Sequence, residues 1–340
     1  MRLFIAANFY NNERILPLFI DHIQHIITKF GAHNIYISIY ENGSRDGTRK
    51  LLQEFKDWLH VHQVPHRIVM DTTLEPGYPS GGRIPYLSKV RNKAMEPFYF
   101  QFDDHQQTYH RLVFFNDIEW TLEEFRALLL TQNGDYDAVC GIDYYWLYYD
   151  TYATREMPPR LYNWIQQSPN ATEREIRVEE TPGEEFEWMS PLIEPARFPY
   201  FRQSVHQRLM ESGQPVPVYS CWNGLAIFNT EPFYKHRLWF RALPSFPEKA
   251  YDASECCLIM SDLHRHGYHR VYIQPEVRVT YSSTTSSRWW ADGIVPLLNR
   301  LWYPYFGKEI EQRVPADMIQ AWQVAKNHSV DYFDRLCIQT

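Results

Sequence analysis

Twice in its first fifty residues this chain runs through a short apolar segment, breaks into a polar turn, and resumes with apolar residues at helical spacing. No other feature restricts its fold as much. Residues 3–7 (LFIAA) form an apolar run suited to a buried parallel strand. Asn11-Asn12-Glu13 supplies capping chemistry. Ile15, Leu16, Leu18, Phe19, Ile23, Ile26, Ile27 and Phe30 then recur on one helix face, with Gly31 as the stop. Pro17 falls early, where a first helical turn tolerates it. Residues 34–40 (NIYISIY) predict a second strand running into Glu41-Asn42-Gly43-Ser44-Arg45-Asp46-Gly47-Thr48. Leu51, Leu52, Phe55, Trp58 and Leu59 mark a second helix, and residues 67–70 a third strand. This alternation predicts an α/β fold: an open, mostly parallel, Rossmann-like sheet with helices on both faces. Ligands of such sheets bind beyond the carboxyl ends of the strands, so the turns at 8–13 and 41–48 belong to the binding rim.

The rest of the chain extends the pattern. Residues 71–83 form a loop, and 84–95 a helix carrying Arg91-Asn92. Strand 112–115 delivers Asn116-Asp117-Ile118-Glu119-Trp120; a helix follows at 122–130 and a strand at 138–145. Residues 147–200 are irregular, proline-containing and acidic over 173–187, the pattern of an insertion or lid on the acceptor side. Ser220-Cys221-Trp222-Asn223-Gly224 precedes a strand at 225–228. A helix spans 254–267, a strand pair or bent strand 268–281, and a flexible SSTTSS tract 282–287. The catalytic unit is expected over 1–287, with an aromatic, then helical, extension at 288–340 packed on the same domain.

Composition excludes several classes. A net charge of -7 with no basic stripe argues against a nucleic-acid binder held by phosphate contacts. A nucleoside diphosphate is still admissible if a divalent cation bridges it to the protein. The 5 cysteines form no CxxC, which disfavours structural zinc, and the odd count leaves at least one thiol free or intermolecular. Cys256-Cys257, in a helix-like stretch, fits buried thiols. No apolar run reaches membrane-spanning length, and no signal peptide is visible. The chain has neither GxGxxG at the first turns, nor GxxxxGK[ST], nor GxSxG, nor HExxH. This disfavours dehydrogenases, P-loop NTPases, Ser hydrolases and zincins. The histidines His264, His266 and His269 fit a surface position better than a metal patch. Aromatics make up 16% of the chain, which suits sugar faces as well as cores.

Asp117 and Glu119 stand two apart at a strand end, so their side chains are expected on one side, converging on Mg²⁺ or Mn²⁺. Such an ion can hold a diphosphate as it leaves. Glu41 also follows a strand and can accept hydrogen bonds from a base or ribose, while Gly43 permits the tight turn. Arg91 and Asn92 can orient a phosphate or a sugar hydroxyl. Ala7, Asn8 and Asn116, at the ends of their strands, complete the donor-binding set. Trp222 offers a ring to a sugar face, beside Asn223. Glu255 opens a helix as either an acceptor-side carboxylate or a favourable charge at the helix N-terminus. Asp143 is a candidate for stabilising charge at the sheet rim.

Several stretches together resemble the fungal cryptococcal α-1,3-mannosyltransferase family, glycosyltransferase family 69, which includes capsule-associated proteins. They are IAANFYNNE (5–13), ISIYENGSRDGT (37–48), RIPYLSKVRNKAM (83–95), VFFNDIEW (113–120), YDAVCGIDYYW (136–146), SCWNGLAIFNTEPF (220–233) and SECCLIMSDL (254–263). The resemblance implies a GT-A-type fold, a GDP-mannose donor, a Mn²⁺-like ion and α-1,3 transfer to a mannose hydroxyl of a glycan with retention of configuration. It places Asp117 and Glu119 on the DxD-like triplet, Glu41 at the base or ribose contact, and Glu255 on the xED-like position that meets the acceptor. It also implies polysaccharide biosynthesis in the secretory pathway, in the Golgi lumen, behind a short N-terminal anchor that this chain lacks. The chain departs from the GT-A pattern where a C-terminal histidine completes the metal shell: Val279-Thr280-Tyr281-Ser282 contains none. An inverting transferase with Glu255 as base and an inactive sugar-binding homologue are the alternatives.

Overall fold

A computed structural model describes residues 1–71, 82–145, 147–170, 172, 200–243, 252–281 and 316–339. The elements in chain order are β1 (Leu3–Phe9), α1 (Leu16–Phe30), β2 (Ile35–Glu41), α2 (Thr48–Val61), β3 (His66–Met70), α3 (Arg83–His105), β4 (Arg111–Phe115), α4 (Leu122–Leu130) and β5 (Ala138–Tyr145). There follow β6 (Leu147–Tyr148), β7 (Arg155–Glu156), α5 (Pro159–Gln167), α6 (Ser204–Glu211), β8 (Val216–Ser220), β9 (Leu225–Asn229), α7 (Glu231–His236), β10 (Asp252–Ala253), α8 (Glu255–Arg265) and β11 (Val271–Thr280). The last are α9 (Ala316–Asn327), α10 (Tyr332–Arg335) and β12 (Ile338–Gln339).

The main sheet has the order β3-β2-β1-β4-β9-β5-β11-β8-β7, with β6 beside β5. Strands β3, β2, β1, β4, β5 and β11 run one way. β9 lies between β4 and β5 and runs against both, and β8 runs against β11. The sheet is mostly parallel, as expected, with β9 and β8 reversed. After β1 the chain moves out through β2 and β3, then returns to place β4 on the other side of β1. That reversal opens a crevice at the carboxyl ends of β1 and β4, where an open α/β sheet takes its ligand.

Strand periodicity assigns the two faces. On β1, Leu3, Ile5, Ala7 and Phe9 pack with Leu16, Phe19 and Ile23 of α1, Leu52 and Phe55 of α2 and Phe125 of α4. Phe4 and Ala6 point the other way, to Val90, Ala94 and Phe98 of α3 and Ile259 and Leu263 of α8. Helix α1 ends at Gly31, whose φ of 87° needs no Cβ, as the sequence predicts. Its start differs. No side chain caps it; the Asn12 carbonyl accepts from Ile15 and Leu16, which leaves the Asn12 amide for other work. Helix α4 begins on a capping box, Thr121 with Glu124, that fixes the chain just after Trp120.

Within 268–281 a single strand, β11 (Val271–Thr280), shifts register between Ile273 and Arg278, so the bent-strand reading is the observed one. Within the 147–200 insertion the described part is ordered structure, β6, β7 and α5, rather than irregular chain. The acidic run at 173–187, the SSTTSS tract and the Trp-rich stretch after it lie outside the described residues. At the C-terminus, β12 pairs with β10, and Asp334 receives Arg241 and Arg265.

Two disulfides close the core. Cys140 of β5 joins Cys221, and Cys257 of α8 joins Cys337. Cys256 is the buried free thiol. The reading of Cys257 as a buried thiol is thus corrected. Adjacent residues on a helix face different ways, so Cys257 turns to the C-terminal segment while Cys256 turns to the sheet. The bridges span 81 and 80 residues. Reduction is expected to cost about 2–4 kcal/mol per bridge. Urea midpoints with and without dithiothreitol check this; coincident curves contradict it.

Candidate functional site

A cavity of about 540 Å³ opens at the crevice between β1 and β4. It is lined by Asn8, Tyr10, Asn12, Asn42, Arg83, Tyr86, Arg91, Asn116, Asp117, Tyr149 and Tyr281, among others. Its floor is built by the two polar turns, which grip each other. Asn11 N–H donates to Ser44 Oγ (2.9 Å), and Arg45 N–H to Asn11 Oδ1 (2.9 Å). Asn12 N–H donates to Thr48 Oγ1 (2.7 Å), Glu13 N–H to Asp46 Oδ2 (3.1 Å), and Gly47 N–H to Glu13 Oε2 (2.9 Å). A Cβ on Gly47 would lie 2.4 Å from Glu13 Oε1, so a side chain there would displace the carboxylate that accepts from Gly47 N–H. Most polar residues of NFYNNE and ENGSRDGT therefore serve the scaffold.

Glu41 belongs to that scaffold. It is fully buried; its Oε1 accepts from Ser44 N–H, and Arg49 lies 3.5 Å from Oε2. It supports the turn from beneath and does not line the cavity. Gly43 takes φ 88°, the tight turn expected of it. Ala7 is buried inside the sheet. Asn8 lines the cavity and donates through Nδ2 to the Val90 carbonyl (2.9 Å), and Asn42 donates to the Tyr86 hydroxyl.

The acidic triplet leaves β4 through a tight turn. Asn116 N–H donates to Gly224 O (2.8 Å) and Ile118 N–H to Asn116 O (3.0 Å). Glu119 then pairs its backbone with Thr280 in both directions. This turn breaks the strand's period of two. Asp117 lines the cavity, whereas Glu119 is half-buried and is not among the lining residues. Asn12 Nδ2 donates to Asp117 Oδ2 (3.2 Å), the work for which its amide was left free. Burial raises the Asp117 carboxyl above the ordinary aspartate range; hydrogen bonds from its own backbone and Asn12, and the charge of Arg91, oppose the rise. Gly224 takes φ 73°, and a Cβ there would lie 2.5 Å from Ile118 Cγ2. The glycine lets the SCWNG turn press against the triplet.

Arg91 is the centre of the site. It enters from α3, donates from Nε to Glu255 Oε1 (2.9 Å) and from Nη1 to Asn116 Oδ1 (3.0 Å). Its guanidinium lies over the Trp222 ring, 4.3 Å from the centroid, with Phe114 and Phe240 beyond. Trp222 Nε1 donates to the same Asn116 Oδ1 (3.1 Å). One cation thus gathers α3, β4, the SCWNG turn and the start of α8.

Several expected ligand contacts are displaced by this arrangement. Trp222 is 1% exposed and carries Arg91 on its ring, so it presents no face to a sugar. Glu255 is 2% exposed and is the counter-charge of Arg91. Asn92 spends both ends of its amide on the Phe240 backbone (2.8 and 3.0 Å). Asn223 is fully buried. Its Oδ1 accepts from Tyr148 and Thr154, and its Nδ2 donates to Gly141 O. Asp143 is fully buried too; its Oδ1 accepts from Asp150 N–H (3.0 Å). His264 and His269, expected at the surface, are buried and meet through their Nδ1 atoms at 2.9 Å. Sequence reasoning missed Asn12, Tyr149, Asp150 and Tyr281. Tyr281 stands where a histidine was sought. Its hydroxyl accepts from Asn116 Nδ2 (3.2 Å), and burial holds its phenol protonated.

Among the described residues no three His, Cys, Asp or Glu side chains converge to hold a metal. Among the described residues the cavity offers a hard cation one carboxylate, Asp117. That fits an ion of the Mg²⁺ or Mn²⁺ kind, which completes its shell with phosphate oxygens and water. It does not fit a self-contained protein cage.

Burial and the neighbouring Asp150 push the Asp143 carboxyl well above its ordinary range. A carboxyl raised on folding imposes no cost below its unfolded pKa. The cost grows as pH climbs past the unfolded value and levels off at its maximum above the folded one. Asp143→Asn keeps the acceptor for Asp150 N–H and is expected to raise the thermal midpoint by a few degrees at pH 7, with a smaller gain at pH 4. Melting curves at both pH values check this.

The family described as Cryptococcal mannosyltransferase 1 matches residues 2–262. An alpha-1,3-mannosyltransferase of Cryptococcus neoformans, CMT1, is 23% identical over 82% of this chain, and the chain spans 58% of that relative's length. Among solved structures, the mannosyltransferase PcManGT from Pyrobaculum calidifontis, in complex with GDP-Man and Mn²⁺, is 13% identical with a TM-score of 0.41, covering 85% of this chain and 59% of its own. TarS from S. aureus is 12% identical with a TM-score of 0.41, covering 95% and 80%.

Proposed function

The chain belongs to the cryptococcal mannosyltransferase family, and on that premise we propose that it is a GT-A-type glycosyltransferase. It moves mannose from GDP-mannose to a mannose hydroxyl of a glycan, in α-1,3 linkage and with retention. The observation that carries this reading is the pairing of Asp117 with Arg91 in one cavity at the topological switch point. A cation receptor and an anion receptor side by side match a metal-bound diphosphate.

The guanosine occupies the half of the cavity under β1 and β2, among Asn8, Tyr10, Asn42 and Tyr86. Asp117 holds the Mn²⁺ or Mg²⁺ together with the diphosphate, and Asn12 fixes the orientation of its carboxylate. When bound, the ion supplies Lewis-acid stabilisation of the leaving diphosphate. Arg91 meets the negative charge that develops on the phosphates. Its orientation is set in advance by Glu255, Asn116 and the Trp222 ring, so little reorganisation is needed during reaction. Tyr281, held as a phenol, adds a neutral donor beside Asn116. Glu255 is paired with Arg91, which supports retention over an inverting mechanism that would use it as base.

The two disulfides support assembly in an oxidising compartment such as the secretory lumen, where the family resemblance places the Golgi. Among the described residues no helix is long and apolar enough to cross a membrane.

Asp117→Asn is nearly isosteric and removes the anionic ligand. It is expected to lower Mn²⁺-dependent transfer from GDP-mannose at least a hundredfold, about 2.7 kcal/mol of transition-state stabilisation, while the melting point stays within a few degrees. Initial rates with product analysis check this. A variant at full activity, or a β-configured product, overturns the assignment.

A further inference from the structure

We propose that Tyr149 is the platform for the acceptor: its exposed ring takes the C–H face of a hexopyranose and so sets which sugar the transferred residue joins. The inference rests on the function proposed above and supplies the subsite that Trp222 does not provide.

Two large rings among the cavity-lining residues remain well exposed, Tyr10 at 40% and Tyr149 at 53%. They stand on opposite sides of Asp117. Tyr10 follows β1, in the half of the sheet with β2 and β3. Tyr149 follows β6, beside β5 and β11, across β4 and β9 from the nucleotide half. With the diphosphate held at Asp117 between these halves, the reacting carbon and its acceptor fall on the Tyr149 side.

Tyr149 is also held still. Its N–H donates to the Asp143 carbonyl (3.1 Å), and its own carbonyl accepts from Thr151 (2.8 Å). The next residue is fixed more firmly. Asp150 N–H donates to Asp143 Oδ1 (3.0 Å), and the Asp150 carboxylate accepts from Ala153 N–H (3.1 Å) and Asn223 N–H (3.0 Å). The Tyr149 ring leans on Tyr281, with centroids 5.0 Å apart and planes inclined by 57°. The backbone that carries Tyr149 is fixed through Asp143 and Asp150, and the ring itself is braced by Tyr281 before any ligand arrives. A pyranose stacking on it then pays little further ordering entropy. The same ties give Asp143 and Asp150 their part. They are positioning residues that hold the turn, and Asp143 reaches the reaction only through Tyr149.

The test compares wild type with Tyr149→Ala and Tyr149→Phe, titrating mannobiose into each protein saturated with GDP and Mn²⁺, followed by saturation-transfer NMR. Affinity for GDP is measured in parallel. Tyr149→Ala is expected to weaken mannobiose at least tenfold, with GDP affinity within twofold. Tyr149→Phe, which keeps the ring, is expected to restore mannobiose to within threefold. In transfer assays the Ala variant should raise KM for the acceptor rather than for GDP-mannose. Unchanged mannobiose affinity in the Ala variant overturns the proposal, as does a loss that falls on GDP or on the KM of the donor. Absence of mannobiose binding to wild type overturns it as well. If wild type binds GDP and mannobiose but transfers nothing, the function proposed above fails, while the comparison of affinities still decides the role of Tyr149.

Discussion

The site depends on one buried cation. Arg91 is withdrawn from water and must be matched. The match comes from Glu255 on α8, the Asn116 carbonyl at the end of β4 and the Trp222 ring from the turn before β9. These groups come from four distant parts of the sequence, so the guanidinium works as a joint between elements as well as an anion receptor. Removing one partner of a buried pair costs about 3–5 kcal/mol, because the other is left uncompensated. Such a joint is built for pre-orientation. A guanidinium fixed on three sides can meet the proposed diphosphate without first ordering itself.

A second constraint acts from below. The turns at 8–13 and 41–48 are laced by hydrogen bonds that join their backbones and side chains reciprocally. Asn12 extends the lacing to Asp117. The acidic triplet is held from the other side by Gly224 and Thr280. Asp117 is thereby positioned by β1, β2, β9 and β11 together. The disulfide at Cys221 lies next to Trp222, and the one at Cys257 two residues beyond Glu255, so both covalent closures lie beside the partners of Arg91.

The fold was largely legible in the sequence, because apolar period and turn chemistry are local signals. Residues 3–70 announce βαβαβ by periodicity alone, and Gly31 stops α1 where predicted. Two features of the sheet were not legible. β9 enters between β4 and β5 against their direction, and nothing local in residues 225–229 encodes a neighbour more than a hundred residues away. The site was legible as a set of residues but less so as a set of roles. Asp117, just past the end of β4, and Arg91, inside α3, both line the cavity. Glu41, Glu255, Asn92, Trp222 and Asn223 carry the same chemistry but spend it on neighbouring protein groups. Whether a carboxylate serves a ligand or a neighbouring guanidinium is a tertiary fact. Asp143 and Asp150 show the converse. Their pairing arises from a turn at the mouth of the cavity that the sequence presents only as an irregular stretch.

The account stands or falls on a cation and a nucleoside diphosphate sharing the cavity at Asp117 and Arg91. The direct measurement is the thermal midpoint of the wild-type chain titrated with GDP, with Mn²⁺, and with both, beside the same series with UDP. If Asp117 and the phosphates share the ion, GDP and Mn²⁺ together should raise the midpoint by more than the sum of their separate effects, and GDP should outperform UDP. Additive effects, or equal stabilisation by GDP with and without the ion, would contradict the shared site.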